Sequence, residues 1–359
     1  MAQLTPPFKI LQVIDRLDAG GAERVMVDLA NVLFRNGQVV TTLAILNHGD
    51  LRNDLENEIP KIDLNRTGRF SIGHMRKLSR EAKRHDVVHV HMRHNLKYVW
   101  LVRFLFPFSA RIIFHDHYGK INVDQSVSRA LKLALKKVAY IGVSTQLADW
   151  ARDKVGMPES KVFYLSNIII RKELPPRPEE DKTGVKLVVV SNIRKEKNIE
   201  FAIEVADRLS ADRAVTLTVY GQIVDHDYYD RLKGMIGELG LSDKVSFVHD
   251  CVDIQPELHK YDLALHTAKS ETGPLVLIEY LCQELPFISF RTGEVISQLQ
   301  EEVPDFIMDD FEVEAWVKRV EQLLSRKTYH HLIDLYRKHY SAENYFQKCM
   351  KIYEKSLTS

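Results

Sequence analysis

Two glutamates, Glu271 and Glu279, stand eight positions apart in Ser270–Pro286, SETGPLVLIEYLCQELP, on either side of a Gly-Pro and an apolar run. One helix holding both would put the carboxylates on a shared face, since eight residues span a little over two turns. Thr272-Gly273-Pro274 opposes that, because Gly and Pro belong at or before the first turn of a helix. The pattern predicts Glu271 in a loop, a helix starting near Pro274, and Glu279 about a turn and a half inside it. The free N–H groups of that helix start suit an anion such as a diphosphate. Glu279 would reach the same crevice as an acceptor for hydroxyl groups. That pairing points to a sugar nucleotide.

Cations with matching chemistry lie upstream. SNIRKEKN (residues 191–198) supplies Arg194 and Lys197 where a strand turns into a helix. Two fixed cations there would hold a pyrophosphate and stabilise the charge that builds as it leaves. Taken alone, such a run also reads as a solvated charged face. AGGAER (residues 19–24) opens the first helix, and Gly20 and Gly21 let the backbone approach a ligand closely. By itself a Gly-Gly before a helix is only a turn. Neither the Gly-x-Gly-x-x-Gly spacing nor a Gly-Lys-Ser/Thr is present, which excludes the dinucleotide fingerprint and the P-loop. His115 ends the strand RIIFH, at the carboxyl edge of a sheet, with His117 as the near alternative. His89, His91 and His94 raise the question of a metal, since alternate strand residues share a face. No carboxylate or Cys completes a familiar ligand spacing, so no metal is expected.

Strand and helix signals alternate along the whole chain. Strand-like runs at residues 8–14, 38–46, 86–92, 110–115, 138–144 and 161–166 alternate with helical stretches, which predicts a parallel sheet covered on both faces. Residues 171–184, RKELPPRPEEDKTG, are polar and Pro-rich and read as a linker. The alternation restarts at 185–191, 214–221, 244–249, 262–267 and 286–290, and residues 316–327 and 341–357 are helical. The expectation is an α/β chain of two doubly wound domains, with ligands at the strands' carboxyl ends.

Composition supports a globular enzyme, with 45% apolar and 28% charged residues. Cys251, Cys282 and Cys349 form no Cys-x-x-Cys and read as reduced thiols in a cytosolic setting. The N-terminus lacks a signal-peptide pattern, and the longest apolar run, near Val99–Phe108, is interrupted by Arg103. The formal net charge of +1 is polarised: residues 1–180 carry a net of about +9 and the rest about −8. Lys97–Phe108 mixes aromatics with cations, and Arg129–Tyr140 reads as a basic amphipathic helix. Both suit an anionic membrane surface, so a cytoplasmic protein peripheral to the membrane's inner face is expected. No nucleic-acid partner is expected.

In order and spacing, AGGAER, SNIRKEKN, the Glu271/Glu279 signature and the following LPFISFRTGEV resemble the GT-B glycosyltransferases of family 4, the retaining group 1 type. The resemblance runs from Lys9 to Tyr353 and implies two Rossmann-like domains with the active site in the cleft between them. Residues 1–170 would be the acceptor-binding domain, 171–184 the linker and 185–340 the nucleotide-sugar domain. Residues 341–359 would be a helix crossing back to the first domain. It further implies transfer of a hexose or N-acetylhexosamine from a nucleotide sugar, UDP-linked by expectation. The acceptor would be a glycan or lipid-linked glycan in cell-surface polysaccharide or lipopolysaccharide synthesis, with no cofactor or required metal. By resemblance Glu279 takes the ribose hydroxyls and Glu271 the donor sugar. Gly273, Pro274, Leu275 and Val276 approach the sugar and β-phosphate, while Asn192, Arg194 and Lys197 flank the phosphates. Gly20 and Gly21 close over donor and acceptor, and His115 contacts the sugar. Three positions depart from the family: Asn192 where many members have Arg, Thr272 where many have Gly, and Glu284 where Gly is usual. An epimerase of the same fold, or a non-catalytic relative, is the alternative reading.

Overall fold

The computed structural model describes residues 7–18, 20–47, 49–68, 71–121, 123–174, 184–326 and 328–358. The chain divides into two compact units, residues 1–170 with 340–359, and residues 171–339. Ala19 of the Gly-Gly motif and residues 175–183 of the expected linker lie outside the described residues.

Among the described residues, the first unit holds a seven-stranded parallel sheet: β1 (Lys9–Arg16), β2 (Val39–Asn47), β3 (Lys61–Asp63), β4 (Val87–His91), β5 (Arg111–Asp116), β6 (Ala139–Gly142) and β7 (Val162–Tyr164). The order is β3-β2-β1-β4-β5-β6-β7. Strand β1 is buried on both faces through Ile10, Leu11, Val13 and Ile14, as a central parallel strand must be. Helix Gly21–Arg35 returns the chain to β2 and buries Val25, Met26, Leu29 and Leu33. The terminal helix Ala342–Thr358 belongs to this unit and buries Tyr345, Cys349, Ile352 and Tyr353.

The second unit repeats the plan with β8 (Val185–Val190), β9 (Val215–Tyr220), β10 (Val245–Val248), β11 (Leu263–His266), β12 (Phe287–Phe290) and β13 (Ile307–Met308), in the order β10-β9-β8-β11-β12-β13, all parallel. Helix Val313–Leu324 inserts Trp316 edge-on against Phe201 of helix Ile199–Leu209, with ring centroids 5.1 Å apart.

The doubly wound expectation holds in both units. The strands that sequence reading did not find, β3 and β13, are edge strands of three and two residues. Runs that short carry no readable alternation. The basic helix expected over 129–140 ends at Leu135, because the chain must extend into β6. No helix among the described residues is long and apolar enough to cross a membrane.

Candidate active site

In the second unit, β8 and β11 are neighbours where the strand order reverses, and open parallel sheets bind ligands in the crevice at such a point. Beyond β8 the chain passes through Asn192, which is exposed, and Arg194 into a tight turn, Lys195–Lys197. Asn198 then starts the next helix at φ +53°, a left-handed conformation that Asn tolerates. From this turn the Lys197 ammonium pairs with the Glu271 carboxylate on the loop after β11, with side-chain exposures of only 11% and 14%. Thr267 Oγ1 donates to the Lys197 carbonyl at 3.0 Å, and the Lys269 N–H donates to the Glu196 carbonyl at 2.9 Å. The two loops are thereby fastened together.

A third loop holds Glu271 from the other side. The Glu271 N–H donates to Thr292 Oγ1 at 3.1 Å, and the Glu294 N–H to the Thr272 carbonyl at 2.8 Å. Gly293 between them has φ +82°, and a Cβ there would meet Pro274 Cδ at 2.8 Å. Only glycine fits that approach. Pro274 is the residue before helix Leu275–Cys282, which places Glu279 inside the helix, half-buried. No side chain caps this helix start. Thr272 is buried, whereas Gly273, Leu275 and Val276 are half-exposed beside the helix N-terminus. Glu284, at the usual family glycine, adopts φ +56° just after the helix, the conformation for which glycine is favoured.

Electrostatics here favour a fixed charge. Burial pushes the Glu271 carboxyl up, but Lys197 and His266 outweigh it and bring it down to about 2. His266 was not singled out in the sequence. It ends β11 with Nε2 3.8 Å from Glu271 Oε1, and its Nδ1 lies 2.8 Å from Ser289 Oγ on β12. Arg194 Nε and Ser191 Oγ are buried without a protein partner, an expensive state unless a ligand supplies one.

The first unit has a different character at its own order reversal, β1/β4. The Glu23 carboxylate, in the helix's first turn, lies where it would meet a Cβ on Gly20, though that flexible side chain could swing aside. Burial, then the nearby Asp15 and Asp18, raises the Glu23 carboxyl. Burial also acts to raise Asp15, but hydrogen bonds from His94 and Asn95 carry it down to about 2. Around Gly20 and Gly21 this unit therefore offers carboxylates, which suit hydroxyl groups better than phosphates.

His115 departs from expectation. Strand β5 runs one residue further, to Asp116, and the His115 ring is fully buried on the face covered by the terminal helix. Its ring centroid lies 5.3 Å from His89, 5.4 Å from His91 and 4.3 Å from His117. A side chain so enclosed is not at an open strand edge. His94, grouped in the sequence with His89 and His91, instead pairs with Asp15 at 3.1 Å from helix Arg93–Leu105.

Two family models divide the chain between them: one described as Glycosyltransferase Family 4 matches residues 19–171, and one described as Glycosyl transferases group 1 matches residues 170–339. The chain is a family 4 glycosyltransferase. Among its relatives, the capsular polysaccharide biosynthesis glycosyltransferase CapH of Staphylococcus aureus is 23% identical over 348 residues, covering 89% of this chain and 92% of CapH. Among solved structures, Anabaena Alr3699/HepE in complex with UDP and glucose has a TM-score of 0.79 at 17% identity, over 96% of this chain and 98% of that one. A glycosyltransferase from Rickettsia africae has a TM-score of 0.78 at 16% identity, over 98% and 99%. The fold of this family 4 glycosyltransferase is therefore GT-B. Of its expected site residues, the structure joins Lys197 to Glu271 and sets Arg194, Asn192, Gly273 to Val276 and Glu279 on the segments that leave β8 and β11.

Proposed function

We propose that this glycosyltransferase moves a hexose or N-acetylhexosamine from a UDP-sugar to a glycan or lipid-linked glycan of cell-surface polysaccharide synthesis, with retention at the anomeric carbon. The observation that carries this is the nearly buried Lys197–Glu271 pair at the β8/β11 reversal, beside the unpartnered Arg194 Nε. UDP as the donor base is supported by the ligand of the Anabaena structure, and the acceptor class by the capsular relative.

In this reading Lys197 and Arg194 hold the diphosphate and stabilise its charge as the bond to the sugar breaks. Glu279 accepts from the ribose hydroxyls, and Glu271, fixed by Lys197 and Thr292, accepts from the sugar. The N–H groups at the start of helix Leu275–Cys282 face the β-phosphate. The acceptor oxygen bonds to the anomeric carbon on the face from which UDP departs, and a diphosphate oxygen takes the acceptor's proton. Catalysis is then positioning and leaving-group stabilisation, with no metal-dependent step. Thermal shifts across UDP-, GDP- and ADP-sugars test the donor, because a bound donor raises Tm by mass action. NMR of the product's anomeric centre tests retention, and an inverted product overturns it.

Docking of the first unit on an anionic membrane is part of the reading. Phe104, at 73%, and Leu105 are exposed on helix Arg93–Leu105, and the helix Arg129–Leu135 packed against it exposes Leu133, with Arg129 and Lys136 exposed near it in sequence. Flotation with anionic vesicles should succeed at low salt and fade at high salt. Failure at low salt removes the membrane and leaves a soluble acceptor.

A further inference from the structure

Arg171 and Lys172 are the first residues of the second unit, and both are bonded to the end of the helix that carries Glu279. Arg171 Nε donates to the Cys282 carbonyl at 2.8 Å, at the carboxyl end of helix Leu275–Cys282. A helix leaves its last four carbonyls without partners inside the helix. Here the Glu279, Tyr280 and Leu281 carbonyls accept from the N–H groups of Gln283, Leu285 and Glu284, at 3.1, 2.9 and 3.2 Å. Arg171 satisfies the fourth. Its cation also stands where the helix dipole is negative.

A second fastening runs beside the first. Gln283 Nε2 donates to the Lys172 carbonyl at 2.9 Å and to Gln255 Oε1 at 2.7 Å. The Lys172 N–H donates to the same Gln255 oxygen at 2.9 Å, and Gln255 is buried. The Arg171 N–H donates to Tyr336 Oη at 3.2 Å. Glu284 completes the clamp, with Oε1 3.8 Å from Arg171 Nη2 and Oε2 2.7 Å from His330 Nδ1. It holds that carboxylate at φ +56°, where glycine costs least, so the backbone bears some strain to present it. Solvent screens the ion pair itself, and the bond to the Cys282 carbonyl is the firmer hold.

We propose, on the donor role given above to Glu279, that Arg171 is a positioning residue for sugar transfer. By holding the carboxyl end of helix Leu275–Cys282, it fixes the depth and rotation at which Glu279 and the helix's first N–H groups meet the nucleotide. Eight residues make a helix of about 12 Å, so a shift at one end reaches the other. Glu279 lies three residues before Cys282 on the same helix face, and its carbonyl accepts from Gln283, a member of the clamp. The two residues that bring the chain into this unit therefore bear on the donor site. Nucleotide affinity depends on a side chain that touches no atom of the nucleotide.

Calorimetric UDP titration of the full chain, at a temperature where every variant is folded, tests this. Arg171→Ala should raise the UDP Kd by about 3- to 10-fold, the equivalent of one hydrogen bond. Arg171→Lys keeps a donor and a charge at the helix end and should recover most of that affinity. A residue that only anchored the linker would change Tm and leave the Kd alone. Wild-type affinity in Arg171→Ala, or an equal loss in both variants, overturns the proposal. Glu279→Ala is the control. If it loses UDP affinity and Arg171→Ala does not, the donor site stands and the positioning role falls; if neither loses affinity, both fall. Should Arg171→Ala fail to fold, Glu284→Gly decides, because glycine suits the local φ. Weaker UDP binding at an unchanged Tm supports the positioning role, and unchanged UDP binding overturns it.

Discussion

The two sheets share a winding order yet carry opposite polar clusters. In the second unit, a nearly buried ammonium and carboxylate pair, with a histidine 3.8 Å from the carboxylate and a threonine accepting from the Glu271 backbone N–H. In the first, the buried group beside β4 is made of imidazoles that burial keeps uncharged, His89 being pushed down to about 3. Fixed opposite charges at a crevice create a field that a diphosphate can exploit, while neutral imidazoles beneath a helix cannot. The acids near Gly20 add a third environment, rich in acceptors for hydroxyl groups. In the proposed reading, the same architecture separates charge stabilisation from hydroxyl recognition by the residues it hangs on equivalent loops.

The largest expected effect is on stability in acid. Glu271 titrates at about 2 when folded, below its ordinary 4.5, so its contribution is present above pH 4.5 and lost as the pH falls towards 2. The amount is about 3 kcal/mol, from roughly two and a half pKa units. Calorimetry of wild type and Glu271→Gln over that range should show the difference shrinking with acid. Parallel curves would mean that the ion pair is not what distinguishes the second unit.

A charge-assisted hydrogen bond contributes about 1.5–3 kcal/mol. Lys197→Ala should therefore lower kcat/KM by roughly 10- to 100-fold, and Glu279→Ala should weaken nucleotide binding over a similar range. Steady-state kinetics with calorimetric UDP titration measures both. Unchanged nucleotide affinity in two folded variants would move the site away from the β8/β11 reversal.

The smallest effect belongs to His266, which acts through Glu271. His266→Asn should reduce kcat by a few-fold with little change in KM, because the ring stands 3.8 Å from the Glu271 carboxylate, beyond hydrogen-bond reach, and acts on it only electrostatically. It should also move the acid limb attributed to Glu271 to higher pH, since one of the groups lowering that carboxyl is gone. A kcat loss with an unmoved acid limb would make His266 a packing residue instead.

Local signals reveal what lies close in sequence. Strand cores alternate with helices, Pro274 and the apolar run mark the helix that holds Glu279, and Arg194 and Lys197 follow an unmistakable strand. Positions of special backbone geometry are also readable, because Gly293 answers to a φ that few other residues adopt. His266 left a weaker trace as a polar residue ending an apolar strand, and without its neighbours on β12 and the Glu271 loop that trace has no meaning.

Sequence alone determined the two doubly wound units, the family and the acidic and basic residues on the loops after β8 and β11, since each depends on periodicity or on a compact motif. Tertiary structure alone decided the partnership of Lys197 with Glu271 across 74 positions and that of His89 with Tyr353 across 264. It also replaced His94 with His115 in the buried histidine group and removed His115 from the open edge. Strand pairing sets which side chains share a face, and helix docking sets which of those are sealed from water. Neither is written in the spacing of residues along the chain.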